Sequence, residues 1–186
     1  MTKHYISAQQ LLDDSFNLAI KVLESGYKPS FIVGVWRGGA PVAIAVQELL
    51  SYLGIESEHI AIRTSLYTDI DKRGAKVKVD GLDYLVKNVS VKDRLLLVDD
   101  VFDSGLSIKQ IVQDLHAGWG QNAVEIKVAT PYFKPKNNQT SRVPDFYLYE
   151  TEDWLVFPHE LIGLSKSEIL TNKPGLESLA KLLAQD

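Results

Sequence analysis

Residues 95–108 read LLLVDDVFDSGLSI. Leu95, Leu96, Leu97 and Val98 form an unbroken apolar run, which suits a strand buried on both faces of a parallel sheet. The run ends in Asp99 and Asp100, and then comes Asp103-Ser104-Gly105-Leu106-Ser107. Beyond Gly105 the apolar spacing changes, because Leu106, Ile108, Ile111, Val112 and Leu115 mark one face of a helix. The acids and hydroxyls therefore lie on a strand-to-helix loop, where open α/β sheets bind ligands. The first amides of a helix have no partner within it and carry partial positive charge, so a phosphate can rest on the N–H groups and hydroxyls of Ser104, Gly105, Leu106 and Ser107. Asp99 and Asp100 then face the rest of the same ligand, and carboxylates suit sugar hydroxyls and hard divalent ions.

Upstream, the same strand-loop-helix order occurs once more. An apolar run at 31–35 leads into Trp36-Arg37-Gly38-Gly39-Ala40-Pro41, and Val42, Ala43, Val46, Leu49, Leu50 and Leu53 trace the following helix. An arginine beside two glycines offers a guanidinium and exposed amides, a combination suited to a diphosphate. Taken alone it is equally a glycine turn with a surface arginine. Before it, Ser7 with Gln10 and Ile6 with Leu11 provide a capping box and staple for a first helix that Gly26 ends.

Residues 60–63 read as a further strand. The stretch at about 64–88 loses helical period and carries Lys72, Arg73, Lys76, Lys78 and Gly81, so it is expected to be a flexible hood over a multiply charged ligand, or simply a solvated charged face. After the central loop come strands at 124–130 and 146–149, then Trp154-Leu155 and Pro158-His159-Glu160. A tryptophan beside an apolar run is mostly core, but after a strand it can also stack on a planar base. Ser165 with Glu168 caps a short helix, and Leu176, Leu179, Leu182 and Leu183 form a last amphipathic one.

Composition bounds the rest. The 186 residues suit one domain over 1–186, and the net charge of -4, with 24% charged residues, signals neither nucleic acid nor membrane as partner. There is no cysteine, hence no disulfide and no thiolate metal site. The N-terminus lacks a signal-peptide core, and a cytoplasmic location is expected. Residues 118–123 imitate a dinucleotide fingerprint but follow a helix, the reverse of what that site needs. No GxxxxGK[ST] or HExxH occurs, and a receiver-domain reading lacks its third strand-end Asp.

The 95–108 stretch resembles the phosphoribosyl diphosphate (PRPP) motif of type I phosphoribosyltransferases, with serine for threonine at both hydroxyl positions. Arg37-Gly38-Gly39 is similar to the diphosphate loop of the 6-oxopurine branch, in which the peptide before the basic residue is often cis. Trp154-Leu155, with Pro158-His159-Glu160, resembles the base-binding segment of bacterial xanthine-guanine phosphoribosyltransferases, and Lys134-Pro135 matches their purine-contacting Lys-Pro. Lys127 sits nearer the equivalent position of the hypoxanthine-guanine enzymes.

The resemblance implies an α/β fold, a mainly parallel central sheet flanked by helices, with the hood insertion and a C-terminal base-binding segment at about 131–163. It implies Mg²⁺-dependent transfer of 5-phosphoribosyl from PRPP to hypoxanthine, guanine or xanthine in purine salvage. PRPP would be held by Arg37, Gly38, Gly39, Asp99, Asp100, Asp103, Ser104, Gly105, Leu106 and Ser107. The metal would sit on Asp99 and Asp100, and the base on Lys134, Trp154 and Leu155. Asp103 is the candidate general base, its alternative role being a helix N-cap. Ser65 and Tyr67 match the family's mobile-loop Ser-Tyr pair only loosely. A homo-oligomer is expected. The alternatives are a non-catalytic PRPP sensor of the same fold, or transfer to another base.

Overall fold

The computed structural model of the chain describes residues 3–68, 75–120, 124–176 and 182, with side chains for all of these but 66–68, 75 and 76. They fall into two compact units, Leu12–Glu152 and a smaller one made of Met1–Leu11 with Asp153–Asp186. The expected base-binding segment at about 131–163 has residues in both units. The smaller unit joins the chain ends: β1 (Lys3–Tyr5) pairs in parallel with residues 154–156, a contact that no local pattern announces.

In chain order the elements after β1 are α1 (Ala8–Glu24), β2 (Phe31–Trp36), α2 (Gly39–Tyr52), β3 (Glu58–Thr68), β4 (Ala75–Asp80), α3 (Asp83–Asn88), β5 (Arg94–Val98) and β6 (Val101–Phe102). Then come α4 (Leu106–Trp119), β7 (Glu125–Phe133), a 3₁₀ turn (Pro135–Asn137), β8 (Phe146–Glu150), β9 (Trp154–Val156) and α5 (Lys166–Asn172). The main sheet runs β4-β3-β2-β5-β7-β6, with β8 also on β7. All of its pairs are parallel except β3 with β4.

The apolar runs of β2 and β5 are explained by burial on both sides. Phe31, Val33, Val35, Leu95 and Leu97 join Leu85, Ile108, Ile111 and Leu115 in one cluster, while Ile32, Leu96 and Val98, also buried, alternate with them and so point to the opposite face. The helix caps expected from sequence are present: Ser7 Oγ accepts the Gln10 N–H at 3.0 Å, and Ser165 and Glu168 form a reciprocal box. The last amphipathic stretch lies outside the described residues except at Leu176 and Leu182.

The irregular hood expected at about 64–88 is corrected in its described parts. β3 continues to Thr68 and turns back as β4, pairing Arg63 with Asp80 and Thr68 with Ala75. Lys76-Val77-Lys78-Val79-Asp80 alternates with the period of two that a half-covered strand requires. In α3, Leu85 is fully buried, and the Trp119 indole N–H donates to the Leu85 carbonyl at 3.3 Å. Six residues are too few for a helix to show its period. Lys72 and Arg73 lie outside the described residues.

Candidate functional site

Chain direction within the sheet decides where a ligand can bind. From β2 the chain moves outward to β3, and from β5 it moves the other way to β7, so the crevice beyond the C-terminal ends of β2 and β5 is the topological switch point. The loops that leave those two strands carry Arg37-Gly38-Gly39 and Asp99-Asp100.

The two loops touch so closely that only glycine fits in the first. A Cβ on Gly38 would lie 1.7 Å from Asp100 Oδ2, and one on Gly39 would lie 2.4 Å from the Val98 carbonyl oxygen and 2.7 Å from Asp99 Cα. The Trp36–Arg37 peptide is cis, as the family resemblance implied. Arg37 is exposed, and no hydrogen bond or ion pair engages its guanidinium among the described residues.

Asp99 and Asp100 are not beyond a finished strand. The Asp99 N–H donates to the Ala129 carbonyl at 3.1 Å, and pairing with β7 resumes at Val101 with Tyr132 and Phe102 with Phe133, in the register β5 began. β6 is therefore the continuation of β5, and the two acids interrupt a strand. Burial, and then the charge of Asp100, push the Asp99 carboxyl well above the usual carboxylate range, while hydrogen bonds from the backbone N–H groups of Asp100 and Gly39 oppose that rise. Asp100 is buried. Two such carboxylates form a hard donor pair with excess negative charge. Among the described residues no cluster of three or more His, Cys, Asp or Glu could hold a metal. A pair alone fits Mg²⁺, which takes one or two carboxylates and completes its shell with water and substrate phosphate oxygens.

Between β6 and α4, Asp99, Asp103, Ser104, Gly105 and Ser107 line a cavity of about 80 Å³, floored by Val101, Phe102 and Ile108. One water needs roughly 10–15 Å³ on a comparable measure, so there is room for a phosphate-sized group. Leu106 is not in the lining, and its N–H donates to Ser104 Oγ at 3.4 Å. Gly105 occupies the N-cap of α4 at φ 73, and a Cβ there would stand 2.7 Å from the Phe102 ring. A larger cavity of about 410 Å³, beside α2, β2 and β3, is lined by residues such as Ile32, Ala43 and Ile60 and contains no candidate site residue.

Asp103 does not cap the helix, since the N-cap is Gly105 and no side chain caps it. Its carboxylate accepts instead from Lys134 Nζ (3.4 Å to Oδ2) and from Asn137 Nδ2 (2.8 Å to Oδ1). Lys134, 8% exposed, thus reaches the loop between β6 and α4. Lys127 is held elsewhere, 4.6 Å from the Tyr27 ring centre, 5.4 Å from that of Phe146 and 4.0 Å from Glu125. Asn137 was not legible as a site residue, because it lies 34 positions from Asp103 in a plain polar loop.

The smaller unit carries the other expected base contacts. Trp154, on β9, is 51% exposed, with Lys3 Nζ 5.5 Å from its ring centre. Leu155 is buried, so its side chain belongs to the core and only its backbone is available to a ligand. Ser65 is paired with Lys78 on the β3–β4 arm, whereas the Tyr67 side chain lies outside the described set. Among the described residues no helix is long and apolar enough to cross a membrane.

Comparison with known proteins gives one family match: residues 2–161 fit the model of the phosphoribosyl transferase domain. No curated protein matches the chain. Among solved structures, a purine phosphoribosyltransferase from Pyrococcus horikoshii is 32% identical, with 89% of this chain and 99% of that one covered and a TM-score of 0.71. A hypothetical protein from Neisseria gonorrhoeae with bound ppGpp is 18% identical over 87% and 91% of the two chains, TM-score 0.68. A Helicobacter pylori xanthine-guanine-hypoxanthine phosphoribosyltransferase is 20% identical over 83% and 91%, TM-score 0.62. The last two are similar in fold.

Proposed function

Because the chain belongs to the phosphoribosyl transferase family, we propose that it transfers the 5-phosphoribosyl group of PRPP to a 6-oxopurine, hypoxanthine, guanine or xanthine. The products are the nucleoside monophosphate and diphosphate. The observation that carries this reading is the small cavity lined by Ser104, Gly105 and Ser107, with Asp99 on its wall and the Arg37-Gly38-Gly39 loop packed on the same acid pair. In this reading a phosphate, a ribose and a diphosphate would share one crevice.

In the reaction the bond from ribose C1 to the diphosphate oxygen breaks as a bond to the purine nitrogen forms, through an oxocarbenium-like centre that nearby carboxylates stabilise. Arg37 and the amides of Gly38 and Gly39 hold charge on the departing diphosphate. Ser104 and Ser107 anchor the 5-phosphate, and Asp99 and Asp100 orient the ribose. Mg²⁺, held by Asp99 and Asp100, would neutralise the diphosphate charge. Asp103 handles the purine N7 proton and Lys134 offers its ammonium to the purine O6; Trp154, matched to the base-binding segment by resemblance, has an exposed indole of the kind that stacks on planar rings. A homo-oligomer, a cytoplasmic location and a role in purine salvage belong to the same proposal.

The test is to incubate the protein with PRPP and Mg²⁺ and, singly, hypoxanthine, guanine, xanthine, adenine, uracil or orotate, and to assay diphosphate. Release with one or more 6-oxopurines is expected. Release with a pyrimidine alone, or PRPP binding with no release at all, would replace the reading by another acceptor or by a sensor.

A further inference from the structure

We infer that Asn137 is a positioning residue for Asp103, fixing the carboxylate that takes up the purine proton; this rests on the function proposed above. The segment that carries Asn137 runs alongside the PRPP loop and is fastened to it on both sides of Asp103. The Lys134 N–H donates to the Phe102 carbonyl at 2.9 Å, and the Gln139 N–H donates to the Ser104 carbonyl at 3.0 Å. Between those two bonds, Pro135 starts a 3₁₀ turn that closes with the Asn137 N–H donating to the Lys134 carbonyl at 3.1 Å. Pro135 fixes its own φ and so limits the freedom of the turn.

From that turn one donor reaches each oxygen of Asp103: the Asn137 amide to Oδ1 at 2.8 Å and the Lys134 ammonium to Oδ2 at 3.4 Å. The amide bond is the shorter and the better formed. The Asp103 side chain stays 47% exposed, so its remaining lone pairs are open to a base. Lys134 cannot do the orienting alone during turnover, because its ammonium is also the donor for the purine O6. Asn137 has no such second duty, and it is exposed, outside the core. A carboxylate that rotates freely loses the alignment proton transfer needs, and misalignment of this kind costs turnover more than affinity.

The experiment compares the unmodified protein with Asn137→Ala, Asp103→Asn and the double variant, measuring kcat, the KM for PRPP and for the base, and the melting midpoint. Asn137→Ala is expected to lower kcat roughly 10-fold, with the KM for PRPP and the midpoint unchanged. In the Asp103→Asn background the same substitution should cost nothing further, because it acts through that carboxylate. Asn137→Asp, which keeps the shape and sets a second carboxylate against the first, should lose more than Asn137→Ala. If the protein is active and the two single losses multiply in the double variant, or if Asn137→Ala raises the KM for PRPP and lowers the midpoint instead of kcat, the inference is overturned while the proposed function stands. Silence of the unmodified protein with every purine overturns both.

Discussion

A Cβ on Gly38 would fall 1.7 Å from Oδ2 of Asp100, whereas one on Gly39 would strike the Val98 carbonyl oxygen at 2.4 Å. The two glycines therefore protect different things. The obstacle at Gly38 is the Asp100 carboxylate, a side chain, and the obstacle at Gly39 is sheet backbone. On the proposed function, Gly38→Ala should raise the KM for PRPP by ~10-fold or more with a smaller change in melting than Gly39→Ala, by displacing the Asp100 carboxylate. Gly39→Ala should destabilise the fold by about 1–3 kcal/mol, the range for overpacking. Kinetics and urea unfolding of the pair check this, and equal unfolding losses would refute the distinction.

Asp103 had two readings in the sequence, helix cap and proton acceptor. With Gly105 at the N-cap and the carboxylate turned to Lys134 and Asn137, the cap reading has no bond to rest on. Asp103→Asn should lower kcat by ~10²-fold or more, leaving PRPP binding and melting close to those of the unmodified protein. A drop in stability like that of a lost cap, about 1 kcal/mol, together with full turnover would return Asp103 to the scaffold.

The buried strand that leads to this loop sets the stability of the larger unit. Leu97 is fully buried in the α3/α4-side cluster and pairs with Val33 on one side and Val128 on the other. Leu97→Ala should cost about 2–5 kcal/mol, read as a lower urea midpoint at unchanged slope. A cost under ~1 kcal/mol would mean that the packing there relaxes.

What could be read from residues alone was whatever chemistry is local. The run of Leu95, Leu96, Leu97 and Val98, the serine-glycine helix start and the Arg37-Gly38-Gly39 turn each state their geometry within a few positions, and their strands and helices stand where expected. β6 was hidden because Asp99 and Asp100 break the apolar run in the middle of a strand whose pairing goes on. The alternation at 76–80 was legible but short, and it was masked by its lysines. The Asp103 to Asn137 bond and the pairing of His4 with Leu155 were not legible, since both join residues whose neighbourhood is made only by the finished fold.

In the smaller unit, Glu168 accepts from Lys3 Nζ at 2.5 Å, from the Ser165 N–H at 2.8 Å and from the Tyr5 hydroxyl at 3.1 Å. Chiefly the Lys3 bond, and next the Ser165 N–H, hold its carboxyl down from the usual 4.5 to about 2. A carboxyl held down in the folded state binds fewer protons there than in the unfolded chain, so its contribution is complete above pH 4.5 and is lost as pH falls toward 2. Glu168→Gln keeps a carbonyl oxygen for the Ser165 N–H but discards the charge. Amide exchange of β1 and β9 reports on this unit itself. The protection lost in Glu168→Gln should be constant above pH 4.5 and vanish as pH approaches 2, because there the unmodified protein has lost the same charge. A difference that stays the same across that range would show that the pairing of Lys3 with Glu168 adds nothing to holding β1 against β9.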